Sequence, residues 1–249
     1  MKKTRTIRAW AVLFWLAVWQ LVSTALSSEL LLVSPVRVAA RLLELAATAG
    51  FWGSVASSLL RIAGGFLLAV AAGVVLAALS ARSRWVRELL APLILAVKSI
   101  PVASFIILAL IWFSSKNLAV LISFLMVLPV VYTNVLSGIR AADPQLLEMA
   151  RVFRIPALRR VRYIYVPQVY PFFQSACGVA LGLCWKSGVA AEVIGMPQGS
   201  IGERLQQAKV YLDTPDLFAW TLTIVLVSLG FEKLFLALLR RGRSALERM

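Results

Sequence analysis

The residues of this chain with the most chemical potential are charges placed inside very apolar segments. Lys98, Lys186 and Glu192 each lie in or near a run long enough to cross a lipid bilayer. A charge in hydrocarbon is costly, so such residues normally face a water-filled cavity or pair with a partner. They could therefore solvate an ion or an anionic solute along a passage. The alternatives are a structural ion pair for Lys98 and a side chain that extends to the membrane surface for Lys186.

The same chain is poorly equipped for catalysis. It contains no histidine, which removes histidine-based acid/base chemistry and every histidine-containing zinc motif. An intramembrane aspartyl protease needs two aspartates within the spans, whereas Asp143, Asp213 and Asp216 fall between spans or at the edge of one. A helix would separate Cys177 and Cys184 by about 10 Å along its axis, too far for a disulfide. We expect both cysteines to be free packing residues.

Composition places the chain in a membrane. Of its 249 residues, 61% are hydrophobic and 15% charged, and the mean hydropathy is +0.86. Apolar runs of the required length predict six transmembrane helices in a single all-α membrane domain, residues 1–249. The predicted spans are about 9–28, 56–80, 88–113, 117–138, 167–194 and 216–239. The first is longer than a signal-peptide core, so we expect it to be retained.

The distribution of positive charge predicts the orientation. Of the 26 lysines and arginines, 17 lie in segments 1–8, 81–87, 139–166 and 240–249, which the spans place on one side. Cytoplasmic segments are the ones rich in these residues. Both termini and the loop 139–166 are therefore predicted to be cytoplasmic. The formal net charge of +15 then reflects membrane orientation and not nucleic-acid binding.

Proline, glycine and serine predict several local features. Pro101 removes a backbone hydrogen bond inside a span, so we expect a kink or an interruption, either static or beside a passage. Gly178 and Gly182 have the small-xxx-small spacing of a helix-packing face. Outside the spans, residues 200–203 have the spacing of a capping box and predict a short outer helix at 201–211.

The loop 139–166 has the signals of a short amphipathic helix. Asp143 and Pro144 form a helix start, because an aspartate caps free backbone amides and proline fits the first turn. Pro156 disfavours helical geometry in the residue before it, so we expect the helix to end near Ile155. A second short helical stretch is predicted at 157–166, and it runs into Pro167. Its apolar side carries Leu146, Met149, Ala150 and Phe153, with Glu148, Arg151 and Arg154 beside it. The loop would therefore present a structured, charged surface next to the membrane.

The spacing around this helix resembles that of a known family. Residues 148–154 read E-M-A-R-V-F-R, and residues 164–167 read I-Y-V-P. This resembles the pattern E-A-A, three residues, G, nine residues, I-x-L-P of ATP-binding-cassette (ABC) importer permeases. Met149 replaces the middle alanine, Arg154 the glycine and Val166 the leucine. The spacing is preserved throughout.

A wider similarity, over about residues 55–243, is to permeases of the nitrate, sulfonate and taurine type. It implies the type I ABC importer permease fold, with six transmembrane helices and a cytoplasmic coupling helix. It also implies a homodimer in a bacterial inner membrane, a cytoplasmic ATPase that binds ATP and magnesium, and an external binding protein that delivers a small solute. The chain itself has no G-x-x-x-x-G-K-[ST] phosphate-binding loop and is expected to hold no cofactor.

The resemblance assigns candidate roles. The coupling helix would dock on the ATPase, with Glu148 as the polar contact and Ala150 as the close-packing one. Arg154 in place of the glycine predicts a longer or straighter helix. Candidate coupling residues are Glu148, Met149, Ala150, Arg151, Phe153, Arg154, Pro156 and Pro167. Candidate pathway residues are Lys98, Pro101, Ser104, Lys186 and Glu192; the basic ones favour an anionic solute.

Two other functions compete with import. A secondary transporter is disfavoured, because the six spans show no evident internal duplication. An intramembrane enzyme is disfavoured by the missing histidines and by the positions of the aspartates.

Overall fold

The chain folds almost entirely into helices. A computed structural model describes residues 9–26 and 32–246, and every regular element in these ranges is helical. The basic segment 1–8, the end of the predicted first span at 27–28 and Arg248 lie outside the described residues. The helices are α1 (Ala9–Leu26), α2 (Pro35–Ala46), α3 (Ala49–Arg82), α4 (Arg84–Ser99), α5 (Val102–Trp112), α6 (Ser115–Arg140), α7 (Pro144–Val152), α8 (Ala157–Arg160), α9 (Val166–Gly195), α10 (Ile201–Val210) and α11 (Thr214–Leu246), with a π-helical turn at Val161–Tyr165.

Several of these helices are suited to crossing a membrane. Four are long and apolar enough to cross unbroken: α3, α6, α11 and the continuous stretch Ala157–Gly195. Together, α4 and α5 form a fifth candidate that is bent by 109°. α1 is apolar but shorter. The all-α membrane fold is confirmed, whereas a count of six spans is compatible with these helices without being confirmed by them.

The bend between α4 and α5 divides the predicted span 88–113. Ile100 has extended backbone angles (φ −80°, ψ 131°), and Pro101 follows it. Proline disfavours helical geometry in the preceding residue and has no N–H to donate. The interruption expected at Pro101 is therefore present.

The predicted fifth span is continuous with the short helical stretch that precedes it. The sequence predicts helix at 157–166 and a separate span that starts at Pro167, but in the structure one helix runs from Ala157 through the π-helical turn into α9. In this turn the N–H of Val166 donates to the carbonyl of Val161. A π-helical turn uses such i→i+5 bonds, and it lies directly before Pro167, whose missing N–H would interrupt a regular ladder. The loop and the span therefore share one helical element of 39 residues.

The core lies where α6 packs against α3 on one side and α9 on the other. Phe66 of α3, Ile122 of α6 and Leu181 of α9 are fully buried there. α3 and α6 approach closely at Gly65, where a Cβ atom would collide with the carbonyl oxygen of Val120. This contact needs a residue without a side chain, so it supports the packing role that small residues have in membrane helices.

The predicted packing face of α9 is open in the part of the chain that the structure describes. Among these residues, nothing lies within 4 Å of a Cβ atom built on Gly178 or on Gly182. Helix-packing glycines allow close approach of a second helix, so this face has room for a helix of another molecule.

Two short helices, α2 and α10, connect the spans on the side opposite to the loop 139–166. Ser200 caps α10, because its Oγ accepts a hydrogen bond from the N–H of Glu203 at 3.0 Å. The expected capping bond is therefore formed. In α2, Arg41 pairs with Asp216 at the start of α11 and with Glu44, and these carboxylates raise the pKa of Arg41 above its usual range.

Substitution of the two adjacent glycines in α3 tests the core packing. We expect Gly65→Ala to lower the free energy of unfolding by about 1–3 kcal/mol, because the methyl group overpacks the contact with α6. Gly64→Ala is the matched control: its Cβ meets nothing within 4 Å, so it should be neutral or slightly stabilising. Thermal unfolding of the purified proteins measures both, and equal stability would contradict the packing described here.

Candidate functional site

The helix α7 is held to the membrane part of the chain by a polar contact at its start. Asp143 caps α7, because its Oδ1 accepts a hydrogen bond from the N–H of Gln145 at 2.9 Å. The backbone N–H of Asp143 donates to Oε1 of Gln168 at 2.7 Å. Gln168 lies in the first turn of α9, so the start of α7 is bonded directly to that long helix. Sequence reasoning missed Gln168, since nothing local marks a glutamine that bonds a backbone 25 residues away.

The end of α7 differs from the expectation. The helix ends at Val152 and not near Ile155, and Arg154 adopts the left-handed conformation (φ 52°) that glycine favours. The N–H of Ile155 donates to the carbonyl of Ala150 at 2.9 Å, and the N–H of Arg154 donates to that of Arg151 at 3.1 Å. These two bonds form a Schellman motif. The turn of the family pattern is therefore kept with arginine in place of glycine, and the prediction of a longer or straighter helix is wrong.

The surface of α7 is divided between one buried small residue and several exposed apolar ones. Ala150 is 1% exposed and packs against this chain. Val152 and Phe153 are 77% and 73% exposed, and Leu158 in α8 is 81% exposed. We define these three as the apolar tip of the loop. The sequence grouped Ala150 with Phe153 on one apolar face, but the structure points them to different surroundings.

Charge around the apolar tip is mainly positive. Glu148 is exposed on α7 and is the single acidic residue between 144 and 166. Arg151, Arg154 and Pro156 are exposed nearby, as is Met149. A partner that binds here would meet an apolar centre with one carboxylate and several guanidinium groups at its edge.

The candidate pathway residues fall into two exposed groups and one buried site. Lys98, Pro101 and Ser104 are exposed around the break between α4 and α5. Lys186 is exposed on α9, four residues beyond Gly182, so it lies on the same open face as that glycine. It also lies nine residues, or about 14 Å, before the carboxyl-terminal end of α9 at Gly195.

Glu192 occupies a different environment from the two lysines. Its side chain is completely buried, and its carboxylate accepts hydrogen bonds from Ser58 Oγ at 2.6 Å and from the N–H of Gly202 at 3.3 Å. Nη1 of Arg61 lies 3.6 Å from its Oε1. In this conformation Glu192 joins α9 to α3 and α10 and lines no open surface.

Sequence reasoning missed the partners of Glu192. Arg61 lies inside the predicted span 56–80, so it should have been counted with the other intramembrane charges. Gly202 is required because the side chain and backbone of Glu192 occupy the place of a Cβ atom. A second hydrogen bond strengthens this contact, since Ser58 Oγ also accepts from the N–H of Ile201 at 2.9 Å.

Comparison with known proteins gives the family. Residues 69–241 match the model of the family described as binding-protein-dependent transport system inner membrane component. The chain belongs to this family. The chain is 31% identical to a probable ABC transporter permease protein of Brucella melitensis across 228 residues, which make up 90% of each chain.

Several relatives carry names that state a solute, and two of them show how widely these solutes differ. The permease is 29% identical over 245 residues to the taurine transport system permease protein TauC of Escherichia coli, covering 96% of this chain and 88% of that one. It is 29% identical over 204 residues to the riboflavin transport system permease protein RibX of Chloroflexus aurantiacus, covering 80% and 74%. Family membership therefore leaves the solute open.

The family settles the class of function. The chain is a permease subunit of an ABC importer, a transport component and not an enzyme, so the intramembrane-enzyme and secondary-transporter alternatives fall away. It is a multi-pass protein of the inner membrane. Its family implies an ATPase and a binding protein as partners in general terms.

Arg154 allows a test of the turn that ends α7. A left-handed conformation costs a residue with a side chain about 1 kcal/mol relative to glycine, and a β-branched residue suffers more. We expect Arg154→Gly to increase, and Arg154→Val to reduce, the hydrogen-exchange protection of the Ile155 amide, which the turn bonds to Ala150. Protection that is the same in all three proteins would show that the turn is not formed.

Glu192 allows a test of the buried contact. We expect Glu192→Ala to lower the free energy of unfolding by about 3 kcal/mol or more, because it leaves Arg61 without its carboxylate partner. Glu192→Gln is the milder control, since an amide can still accept from Ser58 and Gly202. Thermal unfolding in detergent gives the order wild type, Gln, Ala; an alanine variant as stable as the wild type would contradict it.

Proposed function

We propose that the permease is one half of a homodimer that imports a small anionic solute, powered by an ATPase that docks on α7. ATP and magnesium bind to that ATPase, and the permease holds no cofactor. An external binding protein delivers the solute from the opposite side of the membrane.

The proposal that the ATPase docks on α7 rests on two observations, the exposed apolar tip and the bond that attaches α7 to α9. Val152 and Phe153 expose large apolar side chains outside the candidate spans, and Leu158 exposes one at the very start of the candidate span Ala157–Gly195. Exposed apolar clusters with a polar rim are typical of protein interfaces. Through the bond between Asp143 and Gln168, force applied to α7 would reach α9. Glu148 places a carboxylate at the rim of this surface. Ala150 lies on the opposite, buried side of α7, where its small side chain allows α7 to pack closely on its own chain.

The proposed orientation places α7 and both termini in the cytoplasm. It is supported by the excess of lysine and arginine in the segments on this side, which include the loop 139–166. The α2 and α10 side then faces outward, where a binding protein would meet it.

The open face of α9 supports the homodimer. Gly178 and Gly182 leave room for a second helix, because a Cβ atom built on either one meets nothing within 4 Å among the described residues. Within a lipid-embedded surface, small residues of this spacing favour helix association. A second copy would therefore approach along this face, which brings Lys186 toward the space between the two permeases.

The preference for an anion is supported by Lys186 and Lys98. Lys186 lies about 14 Å from the outer end of α9, deeper than a side chain that only reaches for the membrane surface needs to be. Lys98 is exposed beside the break at Pro101. A lysine in the membrane that faces a passage lowers the free energy of an anion there.

Reversal of the charge at Glu148 tests the docking of the ATPase. We expect Glu148→Arg to abolish uptake and copurification of the ATPase, because it removes the single acidic side chain between residues 144 and 166 from a surface that is otherwise basic. The permease should stay folded and inserted, since Glu148 is exposed. Glu88→Arg, also an exposed glutamate on the cytoplasmic side, is the matched control and should retain both activities. Uptake and copurification that survive Glu148→Arg would refute the assignment.

Removal of the charge at Lys186 tests the anion preference. We expect Lys186→Met to raise the KM for uptake about tenfold or more in proteoliposomes that contain the complete transporter, since a hydrogen-bonded charge pair is lost. Lys116→Met, which removes an exposed lysine at the start of α6, should leave KM unchanged. An unaltered KM in Lys186→Met would mean that this lysine only reaches the membrane surface.

A further inference from the structure

The buried contact of Glu192 lies at one end of a direct interface between α3 and α9. One turn of α9 before it, a Cβ atom built on Gly188 would lie 2.7 Å from Cγ1 of Ile62. One turn earlier again, Sγ of Cys184 donates to the carbonyl oxygen of Ile62 at 3.5 Å. Ile62, Cys184 and Glu192 are all completely buried. The two helices are therefore closed against each other from Cys184 to Glu192, the end at which α10 lies.

The ion pair at this end of the interface is incomplete. Nη1 of Arg61 and Oε1 of Glu192 are both buried, and neither has a hydrogen-bond partner among the described residues. They lie 3.6 Å apart, whereas a hydrogen bond between a guanidinium and a carboxylate is about 2.7–2.9 Å long. The other oxygen of Glu192 is bonded, to Ser58 and to Gly202. Buried polar atoms are rarely left without a bond, and those that are often mark a strained or functional position.

The same two side chains stabilise and destabilise the closed interface. The attraction between Arg61 and Glu192 holds α3 against α9. Separation of the helices at this end would let water reach Nη1 and Oε1, which the closed arrangement leaves unbonded at a cost in free energy. Arg61 lies at the edge of the contact, since its side chain is 21% exposed. The closed arrangement therefore depends on a balance between the ion pair and its missing hydrogen bond.

We propose that Arg61 and Glu192 are positioning residues for transport, and that their ion pair is a latch that lets α3 and α9 part and rejoin at the α10 end. A transporter opens and closes each side of its passage in turn, so the moving contact needs two arrangements of similar free energy. α9 is also the helix that bonds to α7 through Gln168. The latch rests on the importer function of the chain, but not on where the ATPase docks or on which solute is carried.

The reactivity of the two native cysteines in the purified full-length permease tests the latch. Both are buried, and a water-soluble, charged methanethiosulfonate would modify them only where water enters; peptide mass spectrometry follows each one. Arg61→Met leaves the carboxylate of Glu192 buried without its charge partner, so Cys184 should react about tenfold faster or more. Cys177 lies seven residues, or about 10 Å, further from the latch and should react at the wild-type rate.

A second substitution in the same protein should reverse the effect. The double variant Arg61→Met/Glu192→Gln leaves no charge unpaired, and its amide can still accept from Ser58 and Gly202. The rate at Cys184 should therefore return to that of the wild type or fall below it. Glu192→Gln alone is the milder change and should raise the rate in the same direction as Arg61→Met, so it tests the latch even if Arg61→Met does not fold.

Arg41→Met is the matched control. It removes the cation from an ion pair with Asp216 that joins α2 to α11 and not α3 to α9, so it should leave the rate at Cys184 unchanged. Three results would overturn the proposal: a wild-type rate at Cys184 in the single variants of the latch, an equal increase at Cys177, which would indicate a general loosening of the fold, or a double variant that reacts as fast as Arg61→Met.

Discussion

The helix that runs without a break from Ala157 to Gly195 connects the two polar regions of the permease. At 1.5 Å per residue its 39 residues extend about 58 Å, well beyond the roughly 30 Å of a bilayer's hydrocarbon. Near one end Gln168 holds the start of α7 through the backbone of Asp143. Near the other end Glu192 accepts hydrogen bonds from Ser58 and from the start of α10. A displacement of α7 would therefore be carried along one helix to the end at which α10 lies, and we propose that import uses this connection.

Such a connection transmits a displacement only if the helices packed around it move together with it as a rigid unit. The close contact at Gly65 joins α3 to α6, and α6 packs against α9. Phe66 adds an edge-to-face contact with Phe235 of α11, with ring centroids 4.9 Å apart. Dense packing of this kind resists deformation. The 109° bend at Pro101 is the contrasting feature, and it places exposed Lys98 beside a discontinuity in the helical framework.

Local signals in the sequence predicted much of this architecture. Asp143 caps α7 and Ser200 caps α10 because each presents an oxygen acceptor one turn before free amides, a relation visible in a few residues. Pro101 interrupts its span for an equally local reason, the clash of its ring with the preceding residue. The lengths of the apolar runs in the sequence likewise indicated an all-α membrane fold.

The predictions were wrong or incomplete where contacts between distant residues, or the backbone geometry, determine the local structure. The bond between Asp143 and Gln168 and the contact of Glu192 with Arg61 join residues far apart in sequence, so no local pattern reveals them. Arg154 adopts a glycine-like conformation because two backbone bonds close the turn around it, which a reading by residue type cannot anticipate. The continuity of the predicted stretch 157–166 with the fifth span depends on a π-helical turn, which has no recognised sequence signal here.

Site-directed cross-linking tests the central claim that α7 is the surface on which the ATPase docks. A cysteine at Phe153 would be the reactive thiol, because Cys177 and Cys184 are buried. The account predicts that a short reagent, thiol-reactive at one end and photo-activated to insert into any neighbouring bond at the other, joins Phe153→Cys to the partner ATPase. Tyr211→Cys, a similarly exposed position on the α10 side, should give no such adduct. An adduct at Tyr211→Cys, or none at Phe153→Cys in a transporter that still imports its solute, would contradict it.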